Sequence, residues 1–174
     1  HCGFTLFNHE PGAAVSINGK IVSSCEEERY TRNKEAWGKL PIYSVKASLK
    51  LAKIKVNQVD LVVSTGVTSK NLKSKLKKFF LENFNYCPKI KLVNHQLAHV
   101  ACAFYSSGFK KATCISLDGF GDKKSGLISE VSIKKGIKKL KFISKKNSIG
   151  NFYTMITEFL GYKTGDEYKV MGLA

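Results

Sequence analysis

Arginine is almost missing from this chain: among 29 basic residues in 174, only Arg29 and Arg32 are arginine. Nucleic-acid interfaces lean on the forked guanidinium, often with aromatics interleaved. A formal charge of +16 carried by lysine therefore does not read as a nucleic-acid footprint, and no nucleic-acid partner is expected. The lysines spread through 70–78, 110–111 and 134–146, mostly at solvent-facing positions, and give at most a weak attraction for anionic substrates. Long hydrophobic runs are missing as well. No stretch is apolar for long enough to span a bilayer and no signal peptide is visible, so no membrane partner is expected. The five cysteines (Cys2, Cys25, Cys87, Cys102 and Cys114) are odd in number and lack any CxxC spacing. Cys25, Cys102 and Cys114 fall in apolar or tightly patterned segments, where free cysteine acts as a small hydrophobe, and a cytoplasmic, reducing compartment fits best.

A length of 174 residues suits one domain with a real core, or one lobe of something larger. The sequence begins at His1 rather than Met and stops at Ala174 inside what reads as an unfinished motif, so it is taken as a fragment.

Strand patterns cover 3–7, 13–17 and 20–26, with the turn 8–12 between the first two and Asn18-Gly19, a strong hairpin signal, between the others. A helix enters at Pro41 with Ile42, Val45, Leu49 and Ala52 on one stripe. A buried strand follows at 59–64, then an amphipathic helix marked by Leu72, Leu76, Phe79, Phe80 and Phe84. A strand at 90–93 and a helix from His95 to about Tyr105 complete this half. The pattern then restarts: a buried strand at 113–117, a turn at 118–122, strands at 126–133 and 139–143 joined by Lys135-Gly136, and a helix with Ile149, Phe152, Tyr153, Ile156 and Leu160 on one face. The repeat lies in architecture rather than residue identity. Two hairpin-led α/β lobes would bring the turns 8–12 and 118–122 to opposite sides of one cleft. That is the actin-like (sugar kinase, heat-shock protein, actin) ATPase fold, with a first lobe at 1–111 and a truncated second lobe at 112–174.

Chemistry concentrates in Asn94-His95-Gln96-Leu97-Ala98-His99 and Ser116-Leu117-Asp118-Gly119-Phe120-Gly121-Asp122. Histidines four apart share a helix face. Asp118, placed at the end of a strand, can join them to offer two imidazoles and a carboxylate to a divalent metal. Core histidines are the plainer reading of an isolated HxxxH, and Asp118 shifts the balance because ligand sites in α/β folds gather at strand carboxyl ends. Gly119 and Gly121 form a turn of the kind that admits a phosphate. His9 is either a polar turn residue or a general base titrating near neutrality. The cluster 26–34 would ordinarily be a solvated loop. It nevertheless holds both arginines, and with Lys34 these forks suit an anionic substrate group.

These segments together resemble the amino-terminal domain of the O-carbamoyltransferases of nodulation-factor and antibiotic biosynthesis. The matching runs are Asn8-His9-Glu10-Pro11-Gly12-Ala13-Ala14, Ile21 onward into Glu27-Glu28-Arg29-Tyr30-Thr31-Arg32-Asn33-Lys34, and His95-Gln96-Leu97-Ala98-His99. They continue through Leu117-Asp118-Gly119, Ser148-Ile149-Gly150-Asn151-Phe152-Tyr153 and Glu167-Tyr168-Lys169-Val170-Met171-Gly172-Leu173-Ala174, in the family's order. The resemblance implies that a carboxy-terminal domain, absent here, makes carbamoyl-adenylate from carbamoyl phosphate and ATP. The actin-like domain would then pass the carbamoyl group to a hydroxyl of a small-molecule or sugar-containing acceptor. It implies a divalent metal, iron by analogy, on His95, His99 and Asp118, with a further aspartate beyond Ala174. It places His9 on the catalytic histidine, Lys34 near the carbamoyl donor or acceptor, and Gly119 and Gly121 near the nucleotide phosphate. Asn94 stands where the family commonly has a second histidine, and Glu10-Pro11-Gly12 where it has an aspartate with small hydroxyl residues. A fragment of this kind is expected to be inactive alone, and its oligomeric state is left open, a homodimer included. The alternatives are a kinase-like phosphotransferase on the same fold and a non-catalytic remnant.

Overall fold

The computed structural model describes residues 2–4 as backbone, together with 11–33, 36 and 39–174. The candidate base His9 and the candidate substrate lysine Lys34 lie outside the described residues. The chain divides into two compact units, 1–93 and 94–174.

The first unit is built on a five-stranded sheet of β1 (Cys2–Phe4), β2 (Gly12–Ile17), β3 (Lys20–Glu26), β4 (Leu61–Thr65) and β5 (Lys89–Val93), in the order β3-β2-β1-β4-β5. β1, β2 and β3 are antiparallel neighbours, whereas β4 runs parallel to β1 and β5 parallel to β4. Asn18 and Gly19 turn β2 into β3 with φ of 49° and 79°, the left-handed pair that a two-residue hairpin requires. The strand expected at 59–64 starts two residues later, because Val56–Gln58 forms a 3-10 turn fastened by the Lys55 N–H donating to Gln58 Oε1 at 2.8 Å. α1 is a single turn, Glu28–Thr31, closed by Arg32 at φ 56°. α2 (Ile42–Leu51) lies over β2 and β3, and α3 (Leu72–Phe84) over β5. Their apolar stripes supply the core: Val45 and Leu49 from α2, and Leu72, Leu76, Phe79 and Phe80 from α3, against Ala13, Val15, Val62 and Ile90. α2 also meets the sheet through small polar residues. Ser48 Oγ donates to Ala13 O at 2.9 Å, and Ser23 Oγ donates to Ser48 O at 2.9 Å.

Glu27 joins these pieces. It is 1% exposed, and its Oε1 and Oε2 accept the N–H groups of Tyr43 (3.1 Å) and Ser44 (2.8 Å) at the start of α2. Its own N–H donates to Pro11 O, and its carbonyl accepts from Tyr30 and Thr31. Glu27→Ala strands two helix-terminal N–H groups in a buried place. The substitution is expected to lower unfolding free energy by about 2–3 kcal/mol, read from denaturant midpoints at unchanged slope.

The second unit holds α4 (His95–Ser106), β6 (Lys111–Gly121), β7 (Lys124–Ser132), β8 (Gly136–Ile143), α5 (Ile149–Phe159) and α6 (Glu167–Leu173), with the sheet order β6-β7-β8. The units part after Val93, whereas the sequence reading divided the lobes after Lys111. α4 belongs with the second sheet because Val100 and Phe104 pack on Leu127 and Val131. Two further expectations are corrected here. The strand read as 113–117 runs on to Gly121, and the turn contracts to Asp122 and Lys123, at φ 48° and 65°. Nor is that strand buried on both faces. Ser116 faces the core, while Ile115 and Leu117 on the other face are 61% and 54% exposed. The apolar stripe of α5 is likewise open: Leu117, Ile149, Phe152, Tyr153 and Ile156 line a shallow apolar depression of about 470 Å³. α6 is tied back to α5 by Tyr153 Oη, which donates to Glu167 O at 3.0 Å, and by Thr154 Oγ1, which donates to Glu167 Oε1 at 2.7 Å. Among the described residues no helix is long and apolar enough to cross a membrane.

Candidate metal centre

Two acceptors fix the start of α4. Asn94 Oδ1 accepts the Leu97 N–H at 3.3 Å, and Asp122 Oδ2 accepts the His95 N–H at 2.8 Å. Capping of this kind stabilises a helix start and gives Asn94 a local role of its own. His95 and His99, one turn apart, then project together. Asp118 meets them from β6. Between the pairs Leu117–Gly126 and Gly121–Lys124, β6 spends four residue steps where β7 spends two, so 118–120 bulge out of the ladder. Bulges re-aim side chains, and this one places the Asp118 carboxylate against α4.

His95 Nε2 lies 2.7 Å from Asp118 Oδ2 and 3.0 Å from His99 Nε2, and His99 Nε2 lies 3.8 Å from Asp118 Oδ2. An imidazole nitrogen carries one hydrogen or one lone pair. If His95 Nε2–H donates to the carboxylate, it has nothing left with which to receive a hydrogen from His99. The three atoms thus converge with more acceptor capacity than protons can satisfy. All lie within 4.8 Å of one another, a separation that bonds of roughly 2.0–2.2 Å to one central cation span after small adjustment. Two imidazoles and one carboxylate with open positions suit iron(II) or zinc. Among the described residues this is the one grouping of such donors.

The glycines have separate reasons. A Cβ at Gly121 would clash with the His95 ring, and one at Gly150, in the first turn of α5, would meet the Gly119 backbone N at 2.5 Å. Ser148, the cap of α5, reinforces that approach by donating to Asp118 O and Gly119 O at 2.9 and 2.8 Å. The Gly119 N–H donates to Asp118 Oδ1 at 2.7 Å, so this amide orients the carboxylate. Gln96 was passed over as a site residue, because only the fold shows its wholly buried amide reaching Asp118 Oδ2 at 3.3 Å. Arg29 sits on Glu26 and Glu28 at 3.2 and 3.7 Å, and Arg32 is exposed.

The hydrogen bond from His95, and then the nearby His99 ring, hold the Asp118 carboxyl well below the usual carboxylate range, against the opposing effect of burial. The Asp118 side chain in turn raises His99 above 6.5, again against burial. In the ion-free chain the Asp118 contribution to stability is present above about pH 3.8 and lost as pH falls through the depressed value. The His99 contribution is present below 6.5 and lost as pH rises through the raised one. The pair therefore stabilises the ion-free chain most between those limits. Uptake of an ion by these donors would run the other way, since His99 would have to shed its proton first. Affinity is expected to climb as pH rises past the raised His99 value. About one proton should be released per ion, measurable by calorimetry in buffers of different ionisation enthalpy.

Residues 73–174 match the family model described as Carbamoyltransferase N-terminus. The chain belongs to the carbamoyltransferase family. Nodulation protein NolNO of Sinorhizobium fredii is 32% identical over 190 residues, covering 97% of this chain and 28% of its own length. Nodulation protein NolO of Bradyrhizobium diazoefficiens is 42% identical over 82 residues, covering 47% of this chain and 15% of its own. The chain thus spans less than a third of the length of either nodulation protein. YeaZ from Pseudomonas aeruginosa is similar in structure, with a TM-score of 0.49 at 10% identity, over 84% of this chain and 67% of that one.

Proposed function

We propose that this chain is the transfer domain of an O-carbamoyltransferase on the actin-like ATPase fold. It would move a carbamoyl group from carbamoyl-adenylate, made from carbamoyl phosphate and ATP, to a hydroxyl of a small-molecule or sugar-containing acceptor. The observation that carries the reading is the convergence of His95, His99 and Asp118 in a chain of the carbamoyltransferase family. The fold assignment is supported by topology: the meander β1-β2-β3 is followed by parallel β4 and β5, and a second meander, β6-β7-β8, restarts the pattern.

In this reading His9 takes the proton of the acceptor hydroxyl as its oxygen bonds to the carbamoyl carbon. The bond from that carbon to the AMP phosphate oxygen then breaks, and AMP leaves with the electron pair. An alcohol is a poor nucleophile at neutral pH, which is why a base is needed. Arg32 and Lys34 hold an anionic group of the donor or acceptor. His95, His99 and Asp118 would hold a divalent ion, iron(II) by the family resemblance, and when bound the ion would neutralise charge on the departing phosphate. Gly119 and Gly121 keep the bulge beside Asp118 slim enough for the nucleotide phosphate to come near.

The test uses the full-length protein with ATP, carbamoyl phosphate and ferrous ion, with nucleotides identified by mass spectrometry. Carbamoyl-AMP and pyrophosphate that depend on carbamoyl phosphate are expected; ADP as the sole nucleotide product overturns the reading. His9→Asn is expected to slow transfer by roughly 10²–10⁴-fold while carbamoyl-AMP still forms. Normal yields of carbamoylated acceptor from that variant would remove His9 from its role.

A further inference from the structure

A chain of hydrogen bonds behind the metal centre has only one possible direction. Leu127 N–H can only donate, and it donates to Ser116 Oγ at 3.0 Å. The Ser116 hydroxyl, having accepted there, donates its own hydrogen to Gln96 Oε1 at 2.8 Å. That contact settles which end of the amide is which, because the oxygen must face Ser116 and the NH₂ must face the other way. Two acceptors wait on that side: Lys124 O at 3.2 Å and Asp118 Oδ2 at 3.3 Å. Gln96 is 0% exposed and Ser116 is 8% exposed, so water does not compete for these groups. A backbone N–H in the β-sheet thus dictates, through two side chains, that a donor is aimed at Asp118.

The consequence falls on the carboxylate. Each carboxylate oxygen offers about two lone-pair sites. Oδ1 is engaged by the Gly119 N–H, and one side of Oδ2 by Gln96. What remains in easy reach of the histidines is the other side of Oδ2.

We propose that Gln96, oriented by Ser116, is the positioning residue that, with the Gly119 N–H on Oδ1, leaves Asp118 a single side of Oδ2 to offer an ion and so makes it a one-oxygen ligand. It thereby favours small ions that take imidazole nitrogen over calcium, which takes two-oxygen carboxylates in oxygen-rich shells. The inference rests on the ion-holding reading of His95, His99 and Asp118 and assigns that centre its selectivity.

The experiment is a titration of the whole chain with cobalt(II), followed by its visible d–d absorption, and a parallel titration with calcium. Four proteins are compared: wild type, Gln96→Leu, Ser116→Ala and the double variant. Wild type is expected to bind cobalt and ignore calcium. Gln96→Leu should bind cobalt about 10–100-fold more weakly, with an altered d–d spectrum, as the loss of an outer-shell partner does elsewhere. Ser116→Ala should shift affinity in the same direction by less. The double variant should match Gln96→Leu, because the two residues act through one relay. The spectrum reports ligand arrangement, which a loss of stability alone does not move. Variants that fold and bind cobalt with wild-type affinity and spectrum overturn the inference while leaving the ion-holding reading intact. A wild type that binds no cobalt overturns both. If Gln96→Leu fails to fold, Ser116→Ala carries the test, and an unchanged spectrum there is the overturning result.

Discussion

Replacing His95 with alanine is expected to lower divalent-ion affinity by about a hundredfold or more, beyond the roughly 10–100-fold typical of losing an outer-shell partner. The size follows from position. His95 Nε2 is the atom nearest both other donors, at 2.7 Å from Asp118 Oδ2 and 3.0 Å from His99 Nε2. Without it, His99 and Asp118 face each other across 3.8 Å with no third donor between them. The helix should survive, since alanine has the best helix propensity and the caps at Asn94 and Asp122 act on the backbone. Calorimetry with zinc or cobalt, beside far-UV circular dichroism, separates the two effects. Wild-type affinity in a folded His95→Ala protein would remove His95 from the ligand set.

Gly121→Ala should do nearly as much damage while keeping all three ligands. The added methyl would press against the His95 ring well inside van der Waals contact, so the ring must rotate off Asp118 or β6 must shift. Overpacking of this kind costs about 1–3 kcal/mol, and the ring cannot both yield and coordinate. Gly119→Ala provides the control two residues away. There the nearest atom to a new Cβ is Asn151 Oδ1 at 3.8 Å, an ordinary contact, and ion affinity should stay within about twofold, less than an outer-shell loss costs. Equal tolerance at both glycines would show that the His95 ring does not occupy the place described.

Much of this was open to reading in the sequence. Alternation and 3.6-residue spacing put α2, α3, α4 and β3 within a residue or two of their places. The HxxxH spacing, followed by Asp118 after an apolar run, pointed to the donor set. What pattern could not supply was the way a ladder breaks. The bulge at 118–120 depends on a register shift against β7, and no local propensity announces it. Hence the pattern ends the strand at 117, and the contact of Gly121 with the His95 ring and the links from Gln96, Ser116 and Asp122 lie beyond its reach. The division into compact units after Val93 is hidden from pattern for a related reason. Whether α4 packs backward or forward is decided by Val100 and Phe104 meeting Leu127 and Val131, a tertiary choice. The stripe on α5 was periodic enough to identify a helix, yet periodicity does not say whether anything covers it.

The closeness of the centre's parts along the chain bears on the order in which the protein folds. His95 and Asp118 are 23 residues apart, and β6 and β7 each pair with the next strand in the chain. The first unit must instead bring Cys2 beside Val62 before its sheet closes. Short loops lose less entropy on closing, and structures rich in local contacts fold faster. The three donors are therefore expected to assemble in the quicker half of the molecule, where an ion, if held, would fasten α4 to β6 while β1 is still searching for β4.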